Sequence, residues 1–164
     1  MVNAVYGFFL IFLKVIEEFQ PKYIATTFDA SGPTKRHRKF PEYKAKRVKA
    51  PDELYSQIPL IKNALKDIGV PIYEKQGFEA DDLIATLANK FAAQDIEVVI
   101  VSGDKDLMQL VGGSVRLLDT MKSKWIGVDQ VREKFGVEPG QVVEVMGLMG
   151  DSVDNIHGVK GIGE

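Results

Sequence analysis

Residues 98–106 read Val98-Val99-Ile100-Val101-Ser102-Gly103-Asp104-Lys105-Asp106. Four β-branched residues in a row, with no polar alternation, are expected of a strand covered on both faces, as in a parallel sheet. The run stops at Ser102-Gly103, which puts Asp104 at the carboxyl end of the strand and Asp106 in the turn that opens the next helix. In open α/β sheets this is the end of the strands where ligands bind.

Two further groups of acids stand beside hydrophobic elements. Residues 81–92 carry Leu83, Ile84, Leu87, Ala88 and Phe91 at helical spacing, so Glu79-Ala80-Asp81-Asp82 lies at a helix N-terminus. One acid there is ordinary capping, but three in four residues exceed what the free amides require. Glu79 and Asp82 share a face at i, i+3, whereas Asp81 points elsewhere on an ideal helix. The first turn must therefore be irregular if all three reach one site. The third group is Gly150-Asp151-Ser152-Val153-Asp154-Asn155. Crowded carboxylates repel one another and need a cation to sit together. With no cysteine and two histidines in 164 residues, an all-oxygen ligand set suits Mg²⁺ or Mn²⁺ rather than zinc.

The remaining elements alternate. Val5, Phe8, Phe9, Phe12, Leu13, Ile16 and Phe19 form a helical stripe over residues 4–19, wide enough to be mostly covered. Tyr23 to Asp29 reads as a strand ending on an acid, and residues 53–68 as a helix with Pro59 as a kink or late start. Val70 to Glu74 is a short strand, Gly77 a turn, and Val115–Asp119 with Trp125–Val128 a pair of strands or a hairpin. Asp129 caps a helix through Phe135, and Pro139 starts another running to Met149. Strands alternating with helices make a single α/β domain over residues 1–164, a mainly parallel sheet flanked by helices. The apolar run from Ala4 to Leu13 is far shorter than the roughly 20 residues of a membrane span and has no basic leader or cleavage site. The absence of cysteine fits a reducing compartment, so a cytoplasmic protein with no membrane partner is expected.

Charge is unevenly placed. Residues 35–49 hold eight Lys or Arg and one acid, Glu42, so a segment of +7 is joined to a body carrying 13 basic and 22 acidic side chains, or −9. This asymmetry fits a polyanion on one side and metal ions on the other. The segment, residues 30–52, has Gly32, Pro33, Pro41 and Pro51 and is longer than a plain connection. Phe40 and Tyr43 add rings for base or sugar contact. A solvated, mobile basic loop is the plainer alternative. At the C-terminal end, glycines 158, 161 and 163 allow backbone amides to approach phosphates.

The order of Asn3-Ala4-Val5-Tyr6-Gly7-Phe8, Phe28-Asp29-Ala30, Pro41-Glu42-Tyr43-Lys44-Ala45-Lys46-Arg47, Glu79-Ala80-Asp81-Asp82, Gly103-Asp104-Lys105-Asp106, Gly150-Asp151-Ser152-Val153-Asp154-Asn155 and Gly161-Ile162-Gly163 resembles the 5′-3′ exonuclease domain of bacterial DNA polymerase I, in the flap endonuclease family. The resemblance spans essentially the whole chain and implies a PIN-like α/β fold. It implies that Asp29, Glu79, Asp81 and Asp82 serve a first divalent ion and Asp106, Asp151 and Asp154 a second, with Asp104 between them. Residues 30–52, including Lys35, Arg36, Arg38, Tyr43, Lys44 and Arg47, match the family's DNA-binding arch or clamp. Lys44 and Arg47 would act on phosphate during cleavage. Residues 156–164, with Gly158, Lys160, Gly161 and Gly163, match the start of a helix-hairpin-helix that grips duplex backbone with help from K⁺. Family members open on a strand with a further metal-site aspartate, so the resemblance implies a chain lacking that strand and ending inside the hairpin element. His157 stands where Pro is common.

The implied activity is metal-dependent hydrolysis of DNA at a 5′ flap or 5′ end, in replication and repair, in a bacterial cytoplasm, fused to or acting with a polymerase. Two other readings stay open: a PIN-type ribonuclease, against which the Asp151 and Asp154 pair with its glycines stands, and a DNA-binding module without catalysis. His37 and His157 are expected to be structural or phosphate-side. Oligomeric state has no sequence signal.

Overall fold

The structure, a computed structural model, describes residues 2–163; the ends of the expected ranges 1–164 and 156–164 lie outside the described residues. Helix α1 (Asn3–Phe19) is followed by β1 (Thr26–Thr27), α2 (Lys35–Lys39), α3 (Asp52–Asp67), β2 (Ile72–Tyr73) and α4 (Ala80–Ala92). Then come β3 (Val98–Val101), a 3-10 helix over Lys105–Leu110, β4 (Val115–Asp119), β5 (Lys124–Ile126) and α5 (Val128–Phe135). A 3-10 turn at Pro139–Gln141, α6 (Val142–Met149), β6 (Gly150–Asp151) and β7 (Ile156–His157) complete the chain.

Among the described residues the strands fall into three small sheets: β1-β2, β3-β4-β5 and β6-β7. The first is parallel, with Thr26 opposite Ile72. β3 and β4 are also parallel, with Ile100 opposite Leu117. β5 joins β4 antiparallel, as a hairpin requires, and β6-β7 is an antiparallel ribbon. The β-branched strand β3 pairs in parallel as predicted, but its sheet is mixed because β5 joins antiparallel, and the strands form separate small sheets instead of one mainly parallel sheet.

Two apolar cores follow from this division. One packs Ile100, Leu117, Ile126, Val131 and Val142 with Ala88 of α4. The other packs Phe12 of α1 with Ile61 and Leu65 of α3 and Val70, flanked by Phe8, Phe9 and Phe28. Helix α4 bridges them, contacting both β1 and β3. This places its N-terminus beside the carboxyl ends of two strands.

Several local expectations are met closely, and some move. α3 begins at Asp52, so Pro59 lies inside the helix, where its missing N–H leaves the Tyr55 carbonyl without its usual partner. The strand expected from Tyr23 to Asp29 pairs only at Thr26–Thr27. The cap of α5 is Gly127 rather than Asp129, which falls in the first turn. α1 is less covered than its stripe predicts: Phe12 is buried, while Tyr6, Leu10 and Leu13 are exposed. Its N-terminal amides are satisfied by another helix, since Ala4 and Val5 N–H donate to Gln57 Oε1 at 2.9 and 3.3 Å. Phe19 at its other end meets Trp125 of β5 edge-on, with ring centroids 5.4 Å apart.

Leu117 is fully buried at the centre of β4. Leu117→Ala is expected to cost about 2–5 kcal/mol, read in urea as a lower midpoint with an unchanged slope.

Candidate metal and phosphate site

The acids converge where α4 begins and β1 and β3 end. Glu79 is the N-cap residue of α4 and 7% exposed. Its backbone N–H donates to Asp82 Oδ2 at 3.0 Å, so Asp82 closes the first turn from inside. Ala80 N–H donates to Asp29 Oδ1 at 2.7 Å, tying the end of β1 to the same helix terminus. Asp104 caps the 3-10 helix after β3, accepting from Asp106 N–H at 2.9 Å. Asp151 turns the β6–β7 loop by accepting from Val153 and Asp154 N–H at 2.8 and 3.1 Å.

Electrostatics join these groups. The Asp81 carboxyl is pushed up to about 6 by burial and then by the charges of Asp104 and Asp29. Asp106 is also raised, by burial and by Asp104, with Asp151 and Asp154 contributing. Asp104 thus acts on acids from both sides. Asp106 Oδ1 is buried without a hydrogen-bond partner among the described residues. A buried lone pair without a donor is costly, and a hard cation would satisfy it. The all-oxygen donor set and this orphaned oxygen fit a divalent ion.

The basic segment is where the structure departs most from an open DNA-facing arch. Lys35–Lys39 form a short helix, and residues 41–46 turn back over the acids. Tyr43 is 6% exposed and donates its hydroxyl to Glu79 Oε2 at 3.1 Å, so its ring is not free for base contact. Burial and the Glu79 charge raise its hydroxyl far above the usual phenol range. Arg36 forks onto both oxygens of Asp82 at 2.8 Å, and this hydrogen bonding holds Asp82 below the usual carboxylate range. Lys44 Nζ lies 3.0 Å from Glu79 Oε2, and Arg47 2.6 Å from Asp154 Oδ1. Lys105 reaches Asp151 at 2.9 Å and, against burial, helps hold it low.

As they stand, no three of these acids form a ligand set among the described residues. Glu79, Asp82, Asp151 and Asp154 are in ion pairs, and Asp29, Asp81, Asp104 and Asp106 are in none among the described residues. Lys35 lies over the Phe78 ring at 3.9 Å, and with Arg38 lines a cleft also bounded by Ser31 and Gln76. Lys160, Gly161 and Gly163 are exposed. Gly158 serves packing instead: a Cβ there would sit 2.1 Å from the Met149 carbonyl oxygen. No helix forms over residues 158–163.

Over residues 1–136 the chain matches the family model described as 5′-3′ exonuclease, N-terminal resolvase-like domain. It belongs to the 5′-3′ exonuclease family. It is 44% identical over 161 residues to a 5′-3′ exonuclease of Aquifex aeolicus, covering 98% of this chain and 56% of that one. It is 47% identical over 165 residues to DNA polymerase I of Treponema pallidum, covering 99% of this chain and 16% of that one. The chain thus spans about half the length of the first relative and a small part of the second. Its fold is that of the T5 D15 protein co-crystallised with metal ions, with a TM-score of 0.81 at 22% identity over 97% of this chain and 64% of that one. The catalytic core of Rad2 in complex with DNA substrate shares it at a TM-score of 0.60 and 18% identity, over 98% of this chain and 49% of that one. The PIN-like α/β architecture is therefore established for this 5′-3′ exonuclease family member. No helix among the described residues is long and apolar enough to cross a membrane.

Sequence reading missed two contributors to the site and one buried acid at the end of β4. Lys105 is in the motif but had no assigned role, and its pairing with Asp151 comes from the folding of residues far apart. Asn155 Nδ2 donates to the Glu42 carbonyl at 2.9 Å and fastens the basic segment to the acidic loop. Asp119, 3% exposed, ends β4 next to Gly103 and accepts from Met121 and Lys122 N–H. An acid closing a strand was the available signal for it.

The pH dependence of the metal-free protein follows from Asp81. Its folded carboxyl lies near 6 against an ordinary 3.8, so the folded state holds the proton more tightly and loses stability as pH rises between those values. Asp81→Asn is expected to raise the melting temperature in EDTA above pH 6 and to bring no such gain below pH 3.8. Gly158→Ala should lower the melting temperature, whereas Gly163→Ala, with open space around it, should leave it unchanged.

Proposed function

We propose that this chain is a metal-dependent 5′-3′ exonuclease and flap endonuclease domain that hydrolyses DNA phosphodiesters near the junction of a 5′ single strand and duplex. The observation that carries the reading is the meeting of a −9 body's acids with a +7 segment at the ends of β1 and β3, in a family whose model is named for this exonuclease activity. Asp29, Glu79, Asp81 and Asp82 would hold one divalent ion and Asp106, Asp151 and Asp154 another, with Asp104 between; Mg²⁺ and Mn²⁺ suit the donors. Such ions supply Lewis-acid stabilisation of charge on the phosphate oxygens.

The chain's own residues do the rest. Lys44 and Arg47 stand at the acid site and would meet the scissile or neighbouring phosphate, countering charge that grows during cleavage. Residues 30–52 form the arch, on which Lys35, Arg36 and Arg38 bring phosphates to the site. Tyr43 holds Glu79 in place from beneath. Residues 156–163, non-helical as they stand, would lead into a helix-hairpin-helix in which Lys160, Gly161 and Gly163 face backbone phosphate and K⁺ would assist. The resemblance to DNA polymerase I relatives supports a bacterial, cytoplasmic protein working alongside a polymerase.

Asp104→Ala is expected to lower Mg²⁺-dependent cleavage of 5′-flap DNA by about a hundredfold or more, since even outer partners of metal ligands are worth about 10- to 100-fold. Its melting temperature should change little, because relief of one repelling charge offsets the lost cap on Asp106 N–H. A variant that cuts flap DNA at the wild-type rate would overturn the assignment. Faster cutting of single-stranded RNA than of flap DNA by the wild type would favour the ribonuclease reading.

A further inference from the structure

Four of the site's eight acids, Glu79, Asp82, Asp151 and Asp154, are already paired with the chain's own cations. Arg36 spans Asp82 at 2.8 Å and reaches Glu79 at 3.6 Å. Lys44 lies 3.0 Å from Glu79 and 4.0 Å from Asp154, Arg47 2.6 Å from Asp154, and Lys105 2.9 Å from Asp151. Three of the four come from the basic segment. Its backbone is held down as well: Lys44 N–H donates to the Asp154 carbonyl at 3.0 Å, and Asn155 Nδ2 to that of Glu42 at 2.9 Å. Lys44 takes a left-handed φ of 58° to fit there.

We propose that Arg36, Lys44, Arg47 and Lys105 are internal counter-ions which compete with divalent ions for the same carboxylates, so that ion loading and release of residues 35–47 are one coupled equilibrium. The proposal rests on the metal reading above and gives it a sequence of events. Without ions the segment closes over the acids. With ions its cations are freed for phosphate.

The competition follows from the donor atoms. The oxygens that accept charge-assisted hydrogen bonds from Arg36, Lys44, Arg47 and Lys105 are those a hard cation needs for coordination. Asp82 has both oxygens engaged by Arg36 and one also by Glu79 N–H. Side chains of Arg36 and Arg47 are nearly half exposed, at 45% and 47%, so these pairs are screened and open readily. Linkage makes the effect reciprocal: by whatever factor the closed segment weakens ion binding, ions weaken the closed segment. Arg38, on the same short helix, has no ion pair among the described residues and is a control for net charge alone.

The test is Mg²⁺ affinity by calorimetry, without DNA, for the wild type and for Arg36→Gln, Lys105→Gln and Arg38→Gln. Arg36→Gln and Lys105→Gln are each expected to tighten binding about two- to fivefold, the range an exposed pair supports, while Arg38→Gln leaves it unchanged. Amide exchange across residues 35–47 of the wild type should speed up when Mg²⁺ is added. Unchanged or weaker affinity in both paired variants, with the wild-type circular dichroism retained, would overturn the proposal. Equal tightening by Arg38→Gln would do the same, by showing net charge to be the cause. A wild type that binds neither Mg²⁺ nor Mn²⁺ overturns the metal reading itself, a failure read from a different measurement.

Discussion

Mutual repulsion among carboxylates governs this molecule. Asp29, Glu79, Asp81 and Asp82 gather at the start of α4, and Asp104, Asp106, Asp151 and Asp154 gather beside it. Burial, and then like charges at that density, raise the proton affinity of Asp81 and Asp106. The folded chain lives with this by three means. Helix and loop amides donate to Asp29, Asp82, Asp104 and Asp151 and offset part of their charge. Cations of the basic segment take another part at Glu79, Asp82 and Asp154. The remainder stays unneutralised, with Asp106 Oδ1 its clearest sign.

The packing exists to hold that arrangement. Neither core contains the site; each ends just short of it. The β3-β4-β5 core fixes Asp104 at a strand end, and the α1-α3 core fixes β1 and Asp29. α4 belongs to both surroundings, so its first turn is positioned by apolar contacts rather than by the acids it carries. This division matters because burial supplies the free energy while the site consumes some of it.

Short-range patterns made much of this readable from the amino-acid order. The run Val98–Val101, the helical spacing of residues 81–92 and the stripe of α1 each predict one element, since their periodicity reflects local backbone geometry. The acids at element ends could be recognised as one centre, because strand ends and helix starts meet on one side of an α/β layer. Boundaries were less legible. Pro59 reads as a break, yet sits within α3, where Ile61 and Leu65 on the buried face outweigh the lost hydrogen bond.

What the order of residues established, then, is the α/β class, the acid clusters, the +7 segment and the family, all matters of local pattern or motif. What folding in three dimensions decided is the partnership between them. Tyr43 lies 36 positions from Glu79 and Arg47 107 from Asp154, and no local period encodes such distances. Whether a lysine faces water, a phosphate or a carboxylate is settled by which oppositely charged group the cores bring within a few ångströms. In this chain they bring the basic segment onto its own acids.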